Sequence, residues 1–122
     1  MAAYLDGTHH PRQALAPRIA FVALIEDDVI GYIAGHATTR YDCSGEVQYL
    51  YVAPTYRRSG VALGLLRELA RWFSANQIRR VCVNADLDSV GAVAFYVAQG
   101  AVALNKHWFA WEDITALIGA VG

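Results

Sequence analysis

The residues of this chain whose types and spacing could do chemistry begin at Arg57-Arg58-Ser59-Gly60. They lie between an apolar run ending at Tyr51-Val52 and a stretch in which Ala62, Leu65, Leu66, Leu69 and Phe73 recur at helical spacing. Pro54 and Thr55 break the preceding strand, and Ser59-Gly60 is a small-residue helix start. A helix N-terminus carries partial positive charge and unpaired N–H groups, so acids are favoured there. Here two arginines precede the helix and no acid follows until Glu68. Two cations beside a positive dipole end are accounted for if an anion joins them. Gly60, lacking a Cβ, lets a ligand come close to the backbone, and phosphate is the natural candidate. The competing account has both arginines in water and Gly60 as a packing residue; the charges alone do not separate the two.

Composition narrows the classes. The 122 residues suit one domain, 1–122, and are too few for two ordinary ones. The chain is 56% hydrophobic and 17% charged, which marks a core-rich globular protein with apolar surface to spare. A net charge of −1 without a basic stripe argues against nucleic acid as a partner. Cys43 and Cys82 are far apart and fit no metal spacing, so no metal is expected, and they read as buried or idle thiols in a reducing cytosol. The adjacent His9 and His10 lack further ligands at suitable spacing. Met1 to Pro17 holds no apolar signal region, and no stretch is long and apolar enough to span a membrane. The expected location is the cytoplasm.

The elements that must position the loop follow in order. Pro11 to Ala16 is predicted as a short helix stopped before Pro17. Ile19 to Ile25 is a continuous apolar run, a strand covered on both faces. A turn at Glu26-Asp27-Asp28 leads into a second strand running to about Arg40, whose Gly31 and Gly35 predict a bulge or a close neighbour. Glu46 to Val52 is the third strand. The helix from Ser59-Gly60 ends at Asn76-Gln77, and Arg79 to Asn84 is the next strand. Strand, helix and strand at this spacing make a βαβ unit with parallel strands and a right-handed crossover. Asp86-Leu87-Asp88-Ser89 opens another helix, which carries no charge from Val90 to Ala98 and is therefore expected to be largely buried. Gly100 occupies the place of a C-terminal left-handed glycine. Two short strands, Ala101 to Leu104 and Trp108 to Trp111, turn about Asn105-Lys106, and a short helix or tail ends the chain.

In its motifs and element order the chain resembles the GNAT superfamily of N-acetyltransferases, which use acetyl-CoA. Arg57-Arg58-Ser59-Gly60-Val61-Ala62 matches the family's loop of Arg or Gln, two residues, Gly, one residue, then Gly or Ala. The hairpin, strand, loop and helix, parallel strand, helix and two closing strands follow the family's order from about Ile19 to Trp111. Ser89 to Gly100 is similar to a later family segment, where a helix ends on an aromatic pair and a glycine follows. The resemblance implies an α/β (α+β) fold, a mixed, mostly antiparallel sheet with a central βαβ crossover. Two departures stand out. Ser89 occupies a place where the family often has Asn. Only about 18 residues precede the hairpin, so 1–18 read as a remnant of the family's N-terminal helical region. That shortening exposes an edge strand, for which a homodimer is the expected remedy.

The resemblance also implies site roles. The amides from Arg58 through Ser59, Gly60 and Val61 to Ala62 would hold the CoA pyrophosphate, with Arg57 and Arg58 adding charge. The third strand and its parallel neighbour would splay near Val52, the pantetheine arm pairing with the Leu50, Tyr51 and Val52 backbone. Ser89 would help hold the CoA arm. Tyr96 is the candidate general acid for the departing thiolate, against a plain reading as a core aromatic. Glu46 could take the amine proton directly or through water, against a plain reading as a solvated residue at a strand start. Tyr41, Asp42 and Trp108 are candidate acceptor contacts, whereas Trp72 and Trp111 read as packing. The implied activity is acetyl transfer from acetyl-CoA to a primary amine. A non-catalytic acyl-CoA-binding module is the alternative, and a purely structural domain is a third reading. Gly60 to Gly64 lacks the spacing and the Gly-Lys-Ser/Thr ending of a Walker loop.

Overall fold

The computed structural model describes residues 15–85 and 90–119. Its strands are β1 (Leu15–Ile25), β2 (Asp28–Ala37), β3 (Gly45–Val52), β4 (Val81–Asn84), β5 (Val102–Ala103) and β6 (Trp108–Trp111), and its helices are α1 (Val61–Ala75) and α2 (Val90–Ala98). Short 3₁₀ turns occupy Arg40–Asp42, Pro54–Tyr56 and Ile114–Ile118. The strands form one mixed sheet in the order β1-β2-β3-β4-β6-β5. β3 and β4 run parallel across α1, and every other pairing is antiparallel. None of the described helices is long and apolar enough to cross a membrane.

One face of the sheet carries the core. α1 buries Leu65, Leu66, Leu69, Ala70 and Phe73, the stripe its spacing predicts, against Ile33, Val47, Val52, Val81 and Val83. α2 lies on the same face, where Tyr96 meets Trp111 edge to face at 5.8 Å. Trp111 is buried there, its indole N–H donating to the Gln99 carbonyl at 3.0 Å, and Trp72 packs edge-on against Phe73. The other face of the middle strands presents Tyr32 and His36 from β2, with Glu46, Tyr49 and Tyr51 from β3.

A bulge sets that division. Tyr49 pairs with Ala34 and Val47 with Gly35, so Gln48 is an extra residue on β3. It lets Val47 face the core while Tyr49 and Tyr51 face away. Gly35 is required beside it: a Cβ there would lie 2.9 Å from a Leu69 methyl and 3.1 Å from the Glu46 carbonyl oxygen. The sequence expectation of a bulge or close neighbour at this glycine is met on both counts.

Several local expectations change. Leu15 and Ala16 belong to β1 rather than to a short helix, because the register runs on to Leu15 opposite Ala37; residues 11–14 lie outside the described residues. β2 stops at Ala37, and Arg40–Asp42 turns instead, with Tyr41 and Asp42 at positive φ. The parallel strand begins at Val81, two residues later than expected. α2 is not largely buried: Tyr96 is buried, but Gly91, Ala94, Val97 and Ala98 are exposed. An uncharged helix needs one packed face only, and its small residues make exposure inexpensive. The residues predicted to open α2, Asp86 to Ser89, lie outside the described residues.

Gly35→Ala is expected to destabilise the fold by about 1–3 kcal/mol in urea unfolding. Combined with Leu69→Ala it should cost less than the sum of the two single changes, because the second change removes the clash made by the first. Full additivity would show that the close approach at Gly35 is not what the fold depends on.

Candidate functional site

The site starts from a failure of pairing. β3 and β4 are joined at Gly45–Val81, Glu46–Cys82 and Val47–Val83, and then part. β3 runs five residues further, to Val52, while β4 ends at Asn84 and pairs on its other edge with β6. The separation begins at the bulge residue Gln48. Alternation along an antiparallel pair then fixes the direction of the backbone groups. The Ala53 N–H donates to the Ile30 carbonyl at 2.7 Å, so Tyr51, two residues back, also bonds β2, and Leu50 and Val52 turn their amides into the gap. The Val52 carbonyl on that side accepts from Arg57 Nε at 2.9 Å.

The gap opens into a cleft of ≈ 690 Å³. Its walls are the end of β3, the front of α1 and one side of α2. Leu50, Tyr51, Val52, Arg57, Arg58, Gly60, Ala62 and Tyr96 all line it, so most of the sequence-predicted site is brought together. Ser59 and Val61 do not line it: the Ser59 hydroxyl donates to the Tyr56 carbonyl, and Val61 faces the groove between α1 and the β1–β2 hairpin. Ser89 lies outside the described residues. Leu63, Gly91, Ala92 and Phe95 also line the cleft and were missed by sequence reasoning. The signal was available for α2, since Gly91, Ala92, Phe95 and Tyr96 share one helical face.

At the mouth of the cleft α1 starts without a side-chain cap and without an acid in its first turn. Gly60 precedes it at φ +89°, a conformation glycine adopts freely, and nothing lies within 4 Å of where its Cβ would be. Arg58 holds φ +64° and projects from the same loop. Arg57 ties the loop to the end of β3 through its bond to Val52.

Inside the cleft Tyr96 is 5% exposed, and burial pushes its phenol up to about 12. Glu46 is elsewhere, near the start of β3 on the face away from α1. It is buried rather than solvated: Arg40 Nε donates to Oε1 at 3.0 Å and the Thr38 hydroxyl at 3.4 Å. Across the pairing His36 is fully buried. Its Nδ1–H donates to the Ala37 carbonyl at 2.7 Å, which leaves Nε2 directed at Glu46 Oε2, 3.9 Å away. His36 escaped the sequence reading because a single histidine in an apolar strand carries no motif. Arg40 also lies over the Trp108 ring at 4.9 Å, and Tyr41 contacts Trp108 at 5.3 Å, so two of the three suggested acceptor contacts meet each other. Asp42 is exposed on the same turn.

The profile of the acetyltransferase (GNAT) family matches residues 2–101. The chain belongs to the GNAT acetyltransferase family. Its mixed six-stranded sheet with two helices is the GNAT fold. Among solved structures it is similar to an acetyltransferase described as of the GNAT family from Desulfovibrio desulfuricans, at TM-score 0.71 and 18% identity, covering 80% of this chain and 69% of that one. It is also similar to Tetrahymena GCN5, at TM-score 0.61 and 16% identity over 77% and 67% of the two chains. An aminoglycoside acetyltransferase from an uncultured soil metagenomic sample matches at TM-score 0.64 and 21% identity, over 75% of this chain and 62% of that one. No curated protein matches. At these identities the structural likeness concerns the GNAT fold, and the chain spans roughly two thirds of each neighbour's length.

On the face of the sheet away from α1 two buried thiols have raised pKa values. Burial is the main cause at Cys82 and at Cys43, which pack together with Ala110. A folded state that holds a proton more tightly than the unfolded chain is stabilised fully below the unfolded pKa, about 8.5 for a thiol, and loses that stabilisation as pH rises through the folded value. Tyr96 adds a loss of the same sign between an unfolded value near ~10 and its own raised value of about 12. Thermal melts should therefore stay level to about pH 8.5 and fall above it, and Cys82→Ala should make the fall shallower between about pH 8.5 and 10. An equally steep fall in the variant would contradict the assignment.

Proposed function

We propose that this chain transfers the acetyl group of acetyl-CoA to a primary amine by direct attack on the thioester. The observation that carries the reading is the unpaired end of β3, with the Leu50 and Val52 amides facing a cleft that begins at the uncapped N-terminus of α1. Acetyl-CoA fits that combination. Its diphosphate suits free helix amides beside Arg58 and Arg57, its pantetheine amides can complete a strand edge, and the cleft volume is that of a small-molecule site.

The chemistry then divides among the chain's own residues. A free N–H at this edge can donate to a carbonyl oxygen gaining charge, which favours the tetrahedral state over the flat thioester. The amine nitrogen forms a bond to the carbonyl carbon, the carbon–sulfur bond breaks, and the electron pair leaves on sulfur. Tyr96 supplies the proton that converts this thiolate to a thiol. In water a phenol at 12 would give its proton to a thiolate near ~8.5 at a cost of roughly 5 kcal/mol. The thiolate forms in the same dry cleft, however, and burial raises its proton affinity for the same reason, so the two shifts largely offset.

The amine arrives from the face opposite α1 and α2, because those helices fill the other side. Glu46 is on that open face, about 10–13 Å along β3 from Leu50. The amine proton therefore reaches Glu46 through water rather than by direct contact. Arg40 and Thr38 hold the carboxylate in place for that role.

Thiol release from acetyl-CoA in the presence of a primary amine tests this reading. Tyr96→Phe should lower kcat by about 10²-fold or more while coenzyme A affinity stays nearly unchanged. Equal turnover in the variant would remove Tyr96 from the acid role.

A further inference from the structure

The chain has two cysteines, far apart in sequence, and the fold brings them together. We propose that Cys43 and Cys82 are a redox modification site, a dithiol that closes to a disulfide when a small-molecule disulfide such as oxidised glutathione is in excess. Acetyl transfer gives neither thiol a role, so the inference stands apart from that reading. Cys43 ends the Arg40–Asp42 turn, and Cys82 lies inside β4. The Ser44 and Gly45 amides both donate to the Arg80 carbonyl, at 2.9 and 3.2 Å, which fastens this segment beside the start of β4. The two thiols are free, hydrogen-bond one another and pack in one cluster with Ala110 and Trp108. Sulfurs already in contact meet the first requirement of a bridge.

Their surroundings give the two sulfurs different roles. Burial holds Cys43 protonated in the closed fold, but the Arg80 guanidinium beside it works against that hold. Arg80 Nε is buried and has no hydrogen-bond partner among the described residues. A bare cationic N–H inside a protein is costly, and a Cys43 thiolate would satisfy it. Cys82 is fully buried beside Cys43 and opposite the Glu46 carboxylate, all of which oppose a thiolate there. Cys43 is therefore the attacking thiol and Cys82 the resolving one.

The turn supplies access. Tyr41 and Asp42 hold φ +54° and +60°, a region unfavourable to residues with a Cβ. Strain of that kind lowers the cost of local opening, and Cys43 ends the strained segment. In the open turn the Cys43 thiolate attacks one sulfur of oxidised glutathione, whose S–S bond breaks and releases one glutathione thiolate. Cys82 loses its proton to solvent and attacks the Cys43 sulfur of the mixed disulfide, displacing the second glutathione. Two protein thiols are oxidised, one glutathione disulfide is reduced, and two protons pass to the departing thiolates. The bridge then fixes the turn that carries Arg40 and its bond to Glu46.

The test incubates the intact chain, without denaturant, in excess oxidised glutathione, blocks free thiols and digests with trypsin. Cleavage after Arg40, Arg57, Arg80 and Lys106 leaves Cys43 in peptide 41–57 and Cys82 in peptide 81–106. The expected result is these two peptides joined, from a chain whose intact mass is that of one copy, and separated again by dithiothreitol. The bridged chain should melt about 5 °C or more above the reduced one. Cys82→Ser should stop with one glutathione on Cys43, Cys43→Ser should take up glutathione about tenfold more slowly, and Arg80→Gln should slow closure severalfold. Equal uptake by the two single variants overturns Cys43 as the attacking thiol. Thiols left unmodified, a bridge only between two copies, or a bridge that forms only in unfolding urea overturns the site itself, and these readings of the unaltered chain need no variant to fold.

Discussion

A strand in the middle of a sheet has backbone donors and acceptors on both edges, and buried ones left without partners cost about 1–3 kcal/mol each. β3 satisfies both edges only up to Val47, where its pairing with β4 ends. From Gln48 to Val52 one edge still bonds β2 and the other faces a cleft. The rest of the structure can be understood from that interruption. The bulge at Gln48 is where the strands begin to part, Gly35 leaves room for the bulge, and α1 packs beneath it through Leu69. Arg57 answers the Val52 carbonyl but leaves the amides at Leu50 and Val52 to another partner.

The front of α1 repeats the pattern in another form. Its first N–H groups have no side-chain cap, and the loop before it presents cations where a helix ordinarily favours acids. An unpaired strand edge and an uncapped helix end, adjoining one cleft, are two sets of backbone donors left for one elongated ligand. A diphosphate joined to a chain of amides has that shape and that hydrogen-bonding order. The other face of the sheet holds a buried carboxylate, fixed by Arg40 and Thr38, and three exposed tyrosines.

The sequence was informative where a residue type has few roles. The Leu and Phe spacing of α1, the left-handed Gly100, the bulge near Gly35 and the parallel step across α1 could each be read from local chemistry. The cleft's α1 side was legible for the same reason. Features that depend on three-dimensional neighbours were not. Glu46 looked solvated or catalytic from its place at a strand start, and its burial against Arg40 comes from a turn six residues away. His36 carried no motif, and only the β2–β3 register places it opposite Glu46. The lack of charge in α2 was mistaken for burial, whereas small residues at Gly91 and Ala92 leave room for the cleft. The stack of Tyr32 on Tyr51 was hidden because each looks like an ordinary strand residue until pairing puts them side by side.

The central claim is that the bare edge of β3 is completed by coenzyme A in the manner of an added strand. Amide hydrogen exchange at Leu50 and Val52, measured with and without saturating coenzyme A, tests it directly. The account predicts marked slowing at these two amides and in the first turn of α1, with little change at Tyr51, whose amide already bonds β2. Unchanged exchange at Leu50 and Val52 under saturation would contradict it.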